Sequence, residues 1–172
     1  MSDTYQPKVY RTDGGDKQVV ASGGELAVEA GGKISLANAA AMDAPQFMKV
    51  ASGALAAGNA NAFAFAWQNP EAVKIFVHRV IVDVTTAGGT GSSVIDVGSG
   101  ATATTASDNL IDGMDADATG PRDNVQDQGT NGKSRQKMDE NGGTTDYITG
   151  QILVANAAAL AGKYYIFYTA VA

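Results

Sequence analysis

The sequence predicts an all-β protein whose larger part is a β-sandwich or a jelly roll. Short segments of alternating apolar and polar residues recur in its second half, and glycine-rich turns separate them. Glycine supplies 21 of the 172 residues and proline only 4, a ratio that fits tight turns and differs from linkers and collagen. A helical period is almost absent, so the strand signals decide the class.

The N-terminal segment contains a short repeat. Residues 22–29 are echoed by residues 30–37 at a period of eight, with a Gly-Gly pair, then a charge, then alternating apolar residues. A looser copy occupies residues 15–20. Such a unit cannot bury its own apolar face, so stacking or association with other copies is the usual remedy. The alternative interpretation is a plain β-hairpin arm.

A change in composition marks the expected domain division. Residues 41–61 are rich in alanine and are interrupted by Asn, Gly and Ser, which indicates a connector with at most one weak helical turn. We therefore predict an arm over residues 1–40, this connector, and a sandwich body over residues 62–172.

Within the body, residues 73–84 give the strongest strand signal. Their valines and isoleucine alternate on one face up to Val77 and on the other from Val80, so the pattern changes near His78. A β-bulge would produce that change, as would a strand that passes between sheets.

Four further segments complete the prediction for the body. Strands are expected over residues 63–67, 93–97, 147–154 and 163–171, with a turn at residues 98–100. Residues 112–145 are polar and read as one long loop, which in a compact domain is usually functional or mobile.

Composition excludes several classes of function. The formal net charge is −6, so no basic surface exists to neutralise nucleic-acid phosphates. Cysteine is absent, which removes disulfides, thiol catalysis and thiolate zinc sites. No apolar run has transmembrane length and the N-terminus lacks the apolar core of a signal peptide, so we expect synthesis in a cytosol and no membrane partner. Much of the apolar fraction is alanine, which hints that partner subunits complete the stability.

Candidate chemistry is sparse. The single histidine, His78, lies in the strongest strand and has no nucleophile beside it in sequence, which favours a packed or interface role. The second candidate is a group of five aspartates: Asp112, Asp115, Asp117, Asp123 and Asp127. The residues from Asp115 onward resemble the start of a calcium-binding loop. The twelfth residue of such a loop would be Gln126, which cannot supply the required carboxylate. We expect no catalytic residue, no metal ligand and no cofactor.

Two further groups indicate contact surfaces. The basic residues Arg122, Lys133, Arg135 and Lys137 share the polar segment with the aspartates and form either a polar contact surface or a solvated loop. The aromatic run at residues 164–168 is more typical of a core and a subunit interface than of a sugar platform.

Several segments resemble the head-decoration, cement or head-fibre proteins of tailed phages. They are residues 8–26, residues 79–84, residues 107–113, residues 129–133 and residues 162–168. The resemblance implies a jelly-roll-like sandwich body and a small β-rich arm. It also implies a homotrimer on the outer surface of an icosahedral head, where it clamps neighbouring major capsid subunits and is not an enzyme.

We place the repeat arm, residues 15–37, against the capsid shell. Its apolar residues are the predicted capsid or subunit contacts: Val19, Val20, Leu26, Val28, Ile34 and Leu36. A receptor- or carbohydrate-binding fibre module is the main alternative, and a clustered exposed aromatic patch or a long shaft would favour it. A small glycan hydrolase is a third, weaker alternative.

Overall fold

The computed structural model describes residues 9–11, 18–20, 24, 48–89, 93–154 and 159–171. The chain divides into two compact units, Met1–Asp43 and Ala44–Ala172. This division lies three residues beyond the predicted end of the arm. No helix of the described residues is long and apolar enough to cross a membrane.

The described part of the first unit is a small antiparallel ladder. Strand β1 (Val9–Arg11) pairs with β2 (Gln18–Val20), so that Val9 faces Val20 and Tyr10 faces Val19. Most of the predicted repeat lies outside the described residues, and with it Leu26, Val28, Ile34 and Leu36.

The second unit contains nine described strands in two antiparallel sheets, which confirms the all-β class and is consistent with the predicted sandwich. The strands are β3 (Lys49–Ala54), β4 (Phe63–Gln68), β5 (Ile75–Thr86), β6 (Val94–Gly100), β7 (Ile111–Asp115), β8 (Gly120–Asp123), β9 (Gln136–Met138), β10 (Tyr147–Ile152) and β11 (Ala161–Ala170). One sheet has the order β4-β10-β6-β7. The other has the order β3-β11-β5-β8, with β9 also paired to β5.

Both sheets contribute to a hydrophobic core of branched aliphatic residues. Its fully buried members include Ile75, Val80 and Ile166 from the five-stranded sheet and Ile95 and Ile148 from the other. Alanine contributes only Ala64 and Ala116 to the buried cluster of the described residues. The abundant alanine of the sequence therefore does not fill the core, and large aliphatic side chains provide most of its buried apolar area.

The predicted bulge in the strongest strand is confirmed at His78. Phe167 pairs with Arg79 and Tyr168 pairs with Val77, so His78 is the extra residue on β5. The extra residue resets the alternation, and Val77 and Val80 are both fully buried on the core side. Ile75 and Val77 thus share the core face with the later valines, where the sequence pattern assigned the two sets to opposite faces, and Val73 precedes the strand and is exposed.

Three predicted loops contain strands. Residues 49–54, assigned to the connector, form β3 because they pair along their whole length with β11. The predicted turn at residues 98–100 is the end of β6, which pairs there with residues 147–149. The polar segment 112–145 contains β8, β9 and most of β7.

Candidate functional site

The predicted arm contacts are described only in part. Val19 and Val20 lie on β2, and the Val20 side chain is 43 % exposed. An exposed valine on a short strand is available to a binding partner, as a contact residue must be.

The described residues also contain a cluster of three half-buried carboxylates at one edge of the four-stranded sheet. Asp96 lies on β6, Asp112 lies on β7, and Asp108 precedes β7. One oxygen from each lies within 4.8 Å of the other two. The pairing explains this proximity, because Ile95 faces Met114 and Val97 faces Ile111, which leaves Asp112 and Gly113 opposite Asp96. This bulge, with Gly113 at φ +78°, brings Asp112 beside Asp96.

Backbone and amide donors surround the cluster. The Gly113 N–H donates to Asp96 Oδ1 at 2.8 Å, and the N–H groups of Thr130 and Asn131 donate to Asp112 Oδ2 at 3.2 and 3.1 Å. The Asn131 side-chain amide donates to Asp108 Oδ2 at 2.7 Å. Asp108 and Asp112 therefore fasten the loop around residue 130 to the strand edge, and Asp96 binds the bulge in β7.

The electrostatics of the cluster are unfavourable to three full negative charges. Burial raises the pKa of the Asp96 carboxyl, and the charges of Asp112 and Asp108 raise it further against the opposing hydrogen bond from Gly113. Carboxylate oxygens are ligands for hard cations, but calcium takes about six to eight oxygens. Three carboxylates that already accept hydrogen bonds supply a part of such a shell.

Replacing Asp96 by asparagine should stabilise the protein at neutral pH. A group whose pKa is higher in the folded chain contributes stability when protonated and loses it as the pH rises through that pKa. Asp96→Asn removes the charge and retains an acceptor for Gly113. Because solvent screens this half-buried charge, we expect the free energy of unfolding to rise by no more than about 0.5 kcal/mol at pH 7. The gain should vanish near pH 3, where the wild-type carboxyl is protonated.

Urea unfolding of both proteins at the two pH values measures this difference. Asp115→Asn is the control, because Asp115 is exposed and lies outside the cluster. A gain that persists unchanged at acid pH would show that the charge of Asp96 is not its cause.

The other aspartates of the predicted acidic group serve the turns. Asp115 Oδ1 accepts the N–H of Asp117, whose own Oδ1 accepts the N–H of Ser93. Asp127 Oδ2 accepts the N–H of Asp123. The five aspartates that lie close together in the sequence therefore have separate structural roles.

Asp123 connects the end of β8 to the bulge in β5. Burial opposes ionisation of Asp123, but Arg79 and the N–H groups of Val125 and Gln126 hold the pKa of its carboxyl below the usual range. The Arg79 guanidinium contacts Asp123 Oδ2 at 2.5 Å. This pair joins the end of β8 to β5.

His78 is half-buried and contacts β11. Its Nε2 atom lies 2.9 Å from the Thr169 hydroxyl oxygen. This contact ties the bulged residue to the neighbouring strand. An imidazole beside a hydroxyl acts in catalysis when a further group orients the imidazole, and the contact with Thr169 alone supplies no such group.

The aromatic run on β11 divides between the core and the solvent. Tyr164 stacks on Phe65 with ring centroids 4.4 Å apart, and the Tyr168 ring lies 5.2 Å from Trp67. Burial, together with the charge of Glu71, raises the pKa of Tyr168 to about 12.

The alternate residues of β11, Tyr165 and Phe167, point away from the core and are half-buried. Phe76 on β5 is 40 % exposed, and the Lys137 ammonium lies 6.0 Å from the centre of its ring. These residues form an aromatic surface on the outer side of the five-stranded sheet.

Sequence reasoning found Asp112 but missed Asp96 and Asp108. The alternation of Ile95, Asp96 and Val97 was the available signal, since it places Asp96 on the outer face of a strand.

Comparison with known proteins gives no relative for this chain. No protein-family model matches it, and neither does any curated protein or solved structure.

Proposed function

We propose that this protein is a structural component of a phage virion that binds the outer surface of an assembled icosahedral head. In this proposal its partner is the major capsid protein, and the protein stabilises contacts between neighbouring capsid subunits. It acts as a homotrimer, by binding and without catalysis, after synthesis in the host cytoplasm. The resemblance to head-decoration proteins supplies this assignment.

The observation that carries the proposal is the division of the chain into two compact units. The buried cluster of the body runs from Leu55 to Tyr168 and includes no described residue of the first unit. In the proposal, the first unit is the arm that binds the capsid shell, and the second unit is the folded body that carries it. Val20 is exposed on that arm and is one of the apolar residues that we assign to the contact with the shell.

Mass action explains how such a protein would strengthen a head. A molecule that binds the assembled shell and not its separated subunits stabilises the assembled state. Three linked arms would raise the effective concentration of each arm at its site, so a weak single contact would suffice.

One observation favours a second candidate, a receptor- or carbohydrate-binding fibre module. The aromatic surface of Tyr165, Phe167 and Phe76 is a feature that a sugar-binding face would need, because flat rings present large apolar area with little conformational entropy. The aromatic residues are dispersed among Val50, Ile81 and Lys137, so this surface also fits a protein partner.

Density-gradient co-sedimentation with heads that lack the protein, and in parallel with whole host cells, separates the two functions. We expect saturable binding to heads and none to cells. Binding to cells with none to heads would contradict the proposal and favour the fibre module.

A truncated protein, residues 44–172, is the matched control for the role of the arm. It retains every described strand of the two sheets, so its circular dichroism should remain that of a folded β protein. We expect it to lose head binding. Retained binding would move the capsid contact from the arm to the body.

A further inference from the structure

We propose that the edge of β3 that no described strand covers pairs antiparallel with β3 of a second copy of this chain, about a twofold axis at Ser52. The contact lies on the body, does not depend on head binding and is separate from the threefold contact of the proposed homotrimer, so that the two contacts together would join two trimers. Four observations on the strand edges, the hydrogen-bonding groups, the side chains and the charges support it.

The first observation is that the other described edges of the two sheets have stronger devices against pairing than β3, whose one such device is Lys49 at its first position. Natural edge strands are kept short or carry lysine, proline, bulges or a covering segment. Strand β8 has four residues with Pro121, β9 has three, and β7 contains the bulge at Gly113. The outer edge of β4 is covered where the Ala56 N–H donates to Ala64 O at 2.7 Å. Strand β3 has six residues in unbroken register with β11.

The second observation concerns the backbone groups of β3. The Leu55 N–H donates to the carbonyl oxygen of Gly162 on β11, so the residues at odd positions direct their N–H and C=O groups toward β11. Val50, Ser52 and Ala54 therefore direct theirs toward the free edge. Among the described residues, β11 is the one strand paired with β3.

These groups are complementary to a second copy of themselves. In the antiparallel register in which Ser52 faces Ser52, Val50 of each copy faces Ala54 of the other. All three outward residues of both copies then form hydrogen-bonded pairs, about six hydrogen bonds in total. A twofold axis at the centre makes the contact isologous, the commonest form of self-association.

The third observation is the chemistry of the side chains. Met48 and Val50 are 57 % and 55 % exposed, more than the other large apolar side chains of the described residues. In the proposed register Val50 packs beside the small Ala54, and the two Ser52 side chains face each other. Pairing would thus cover apolar surface without a steric conflict between large side chains.

The fourth observation is that the proposed register places no two like charges opposite each other. Lys49, the one charged residue of β3, faces Leu55 in this register. Its ammonium lies 2.7 Å from Glu71 Oε1 in each copy. The net charge of −6 repels a second copy only at long range, so association should strengthen as salt screens that repulsion.

Ser52→Lys tests the proposal through the mass of the assembly. It places two ammonium groups side by side at the axis, where like charges destabilise a strand pair. We expect multi-angle light scattering to give half the wild-type mass, whether the wild type is a dimer or a larger assembly built from such pairs. Ser52→Thr and Thr85→Lys should keep the wild-type mass, since threonine suits a strand and Thr85 is exposed on β5. Circular dichroism checks that each variant is folded.

Cross-linking locates the contact independently of the total mass. The chain has no cysteine, so Ser52→Cys introduces a single thiol that a short bis-maleimide can join only across two copies. We expect a covalent dimer from Ser52→Cys and none from Thr85→Cys. A wild-type mass of one chain, an unchanged mass for Ser52→Lys, or equal cross-linking of the two cysteine variants would overturn the proposal.

Discussion

Replacing Asn124 with alanine is expected to lower the free energy of unfolding by about 3 kcal/mol. Strand β8 pairs with residues 81–84 of β5 and β9 pairs with residues 75–77, so neither strand reaches the segment between them. Asn124 fills that gap. Its Oδ1 accepts the Val80 N–H at 2.7 Å, and its side-chain amide donates to Lys133 O at 3.0 Å.

The effect should be large because Asn124 and Val80 are both fully buried. Alanine would leave a backbone N–H without a partner and without water, at a cost of about 1–3 kcal/mol. The loss of the second hydrogen bond and of packing adds to that cost.

Urea unfolding monitored by the single tryptophan measures the difference. Asn131→Ala is the matched control, because its amide contacts Asp108 at an exposed site and should contribute about 0.5 kcal/mol. Equal losses in the two variants would contradict the role assigned to Asn124.

Gly129→Ala should also destabilise the protein by about 3 kcal/mol. Gly129 has φ +65°, which costs an L-residue about 1–2 kcal/mol. A Cβ at this position would lie 2.1 Å from the carbonyl oxygen of Asp112, so the loop would have to move away from β7. Overpacking of this kind costs about 1–3 kcal/mol more.

Gly142→Ala separates the two causes. Gly142 has φ +86°, but a Cβ there would meet no atom within 4 Å. We therefore expect about 1 kcal/mol from backbone strain alone. Thermal unfolding of both variants gives the comparison, and equal destabilisation would show that the approach of Gly129 to Asp112 does not matter.

The strands with strong alternation were predictable from the sequence. Valine and isoleucine at alternate positions identified β5. The change of pattern near His78 indicated either a bulge or a passage between sheets, and the pairing with β11 decides for the bulge. The aromatic strand β11 and the strand β10 followed from the same signal.

Strand β3 could not be predicted because its alanine, glycine and serine residues have little preference for strands. It forms through pairing with β11, and Gly53 is required there because a Cβ would meet the Tyr164 ring at 2.6 Å. Glycine and serine at the end of β6 likewise have little preference for strands, so the sequence predicts a turn there. Gly98 and Gly100 lie in a strand where Ser107 and Thr105 leave no space for a side chain.

The acidic cluster shows why a site is harder to predict than a fold. Asp112 was noticed for its neighbours in sequence, but its spatial neighbours are Asp96 and Asp108. Strand register and a bulge bring them together, and neither can be read from local composition. The predicted arm contacts Leu26, Val28, Ile34 and Leu36 stay predictions.

Heat-induced release of DNA from heads tests the central claim most directly. Heads that lack the protein are heated with a fluorescent DNA dye, alone and with saturating purified protein. The account predicts that the protein raises the release temperature saturably and that residues 44–172 alone do not. An unchanged release temperature at saturation would contradict a role in stabilising the shell.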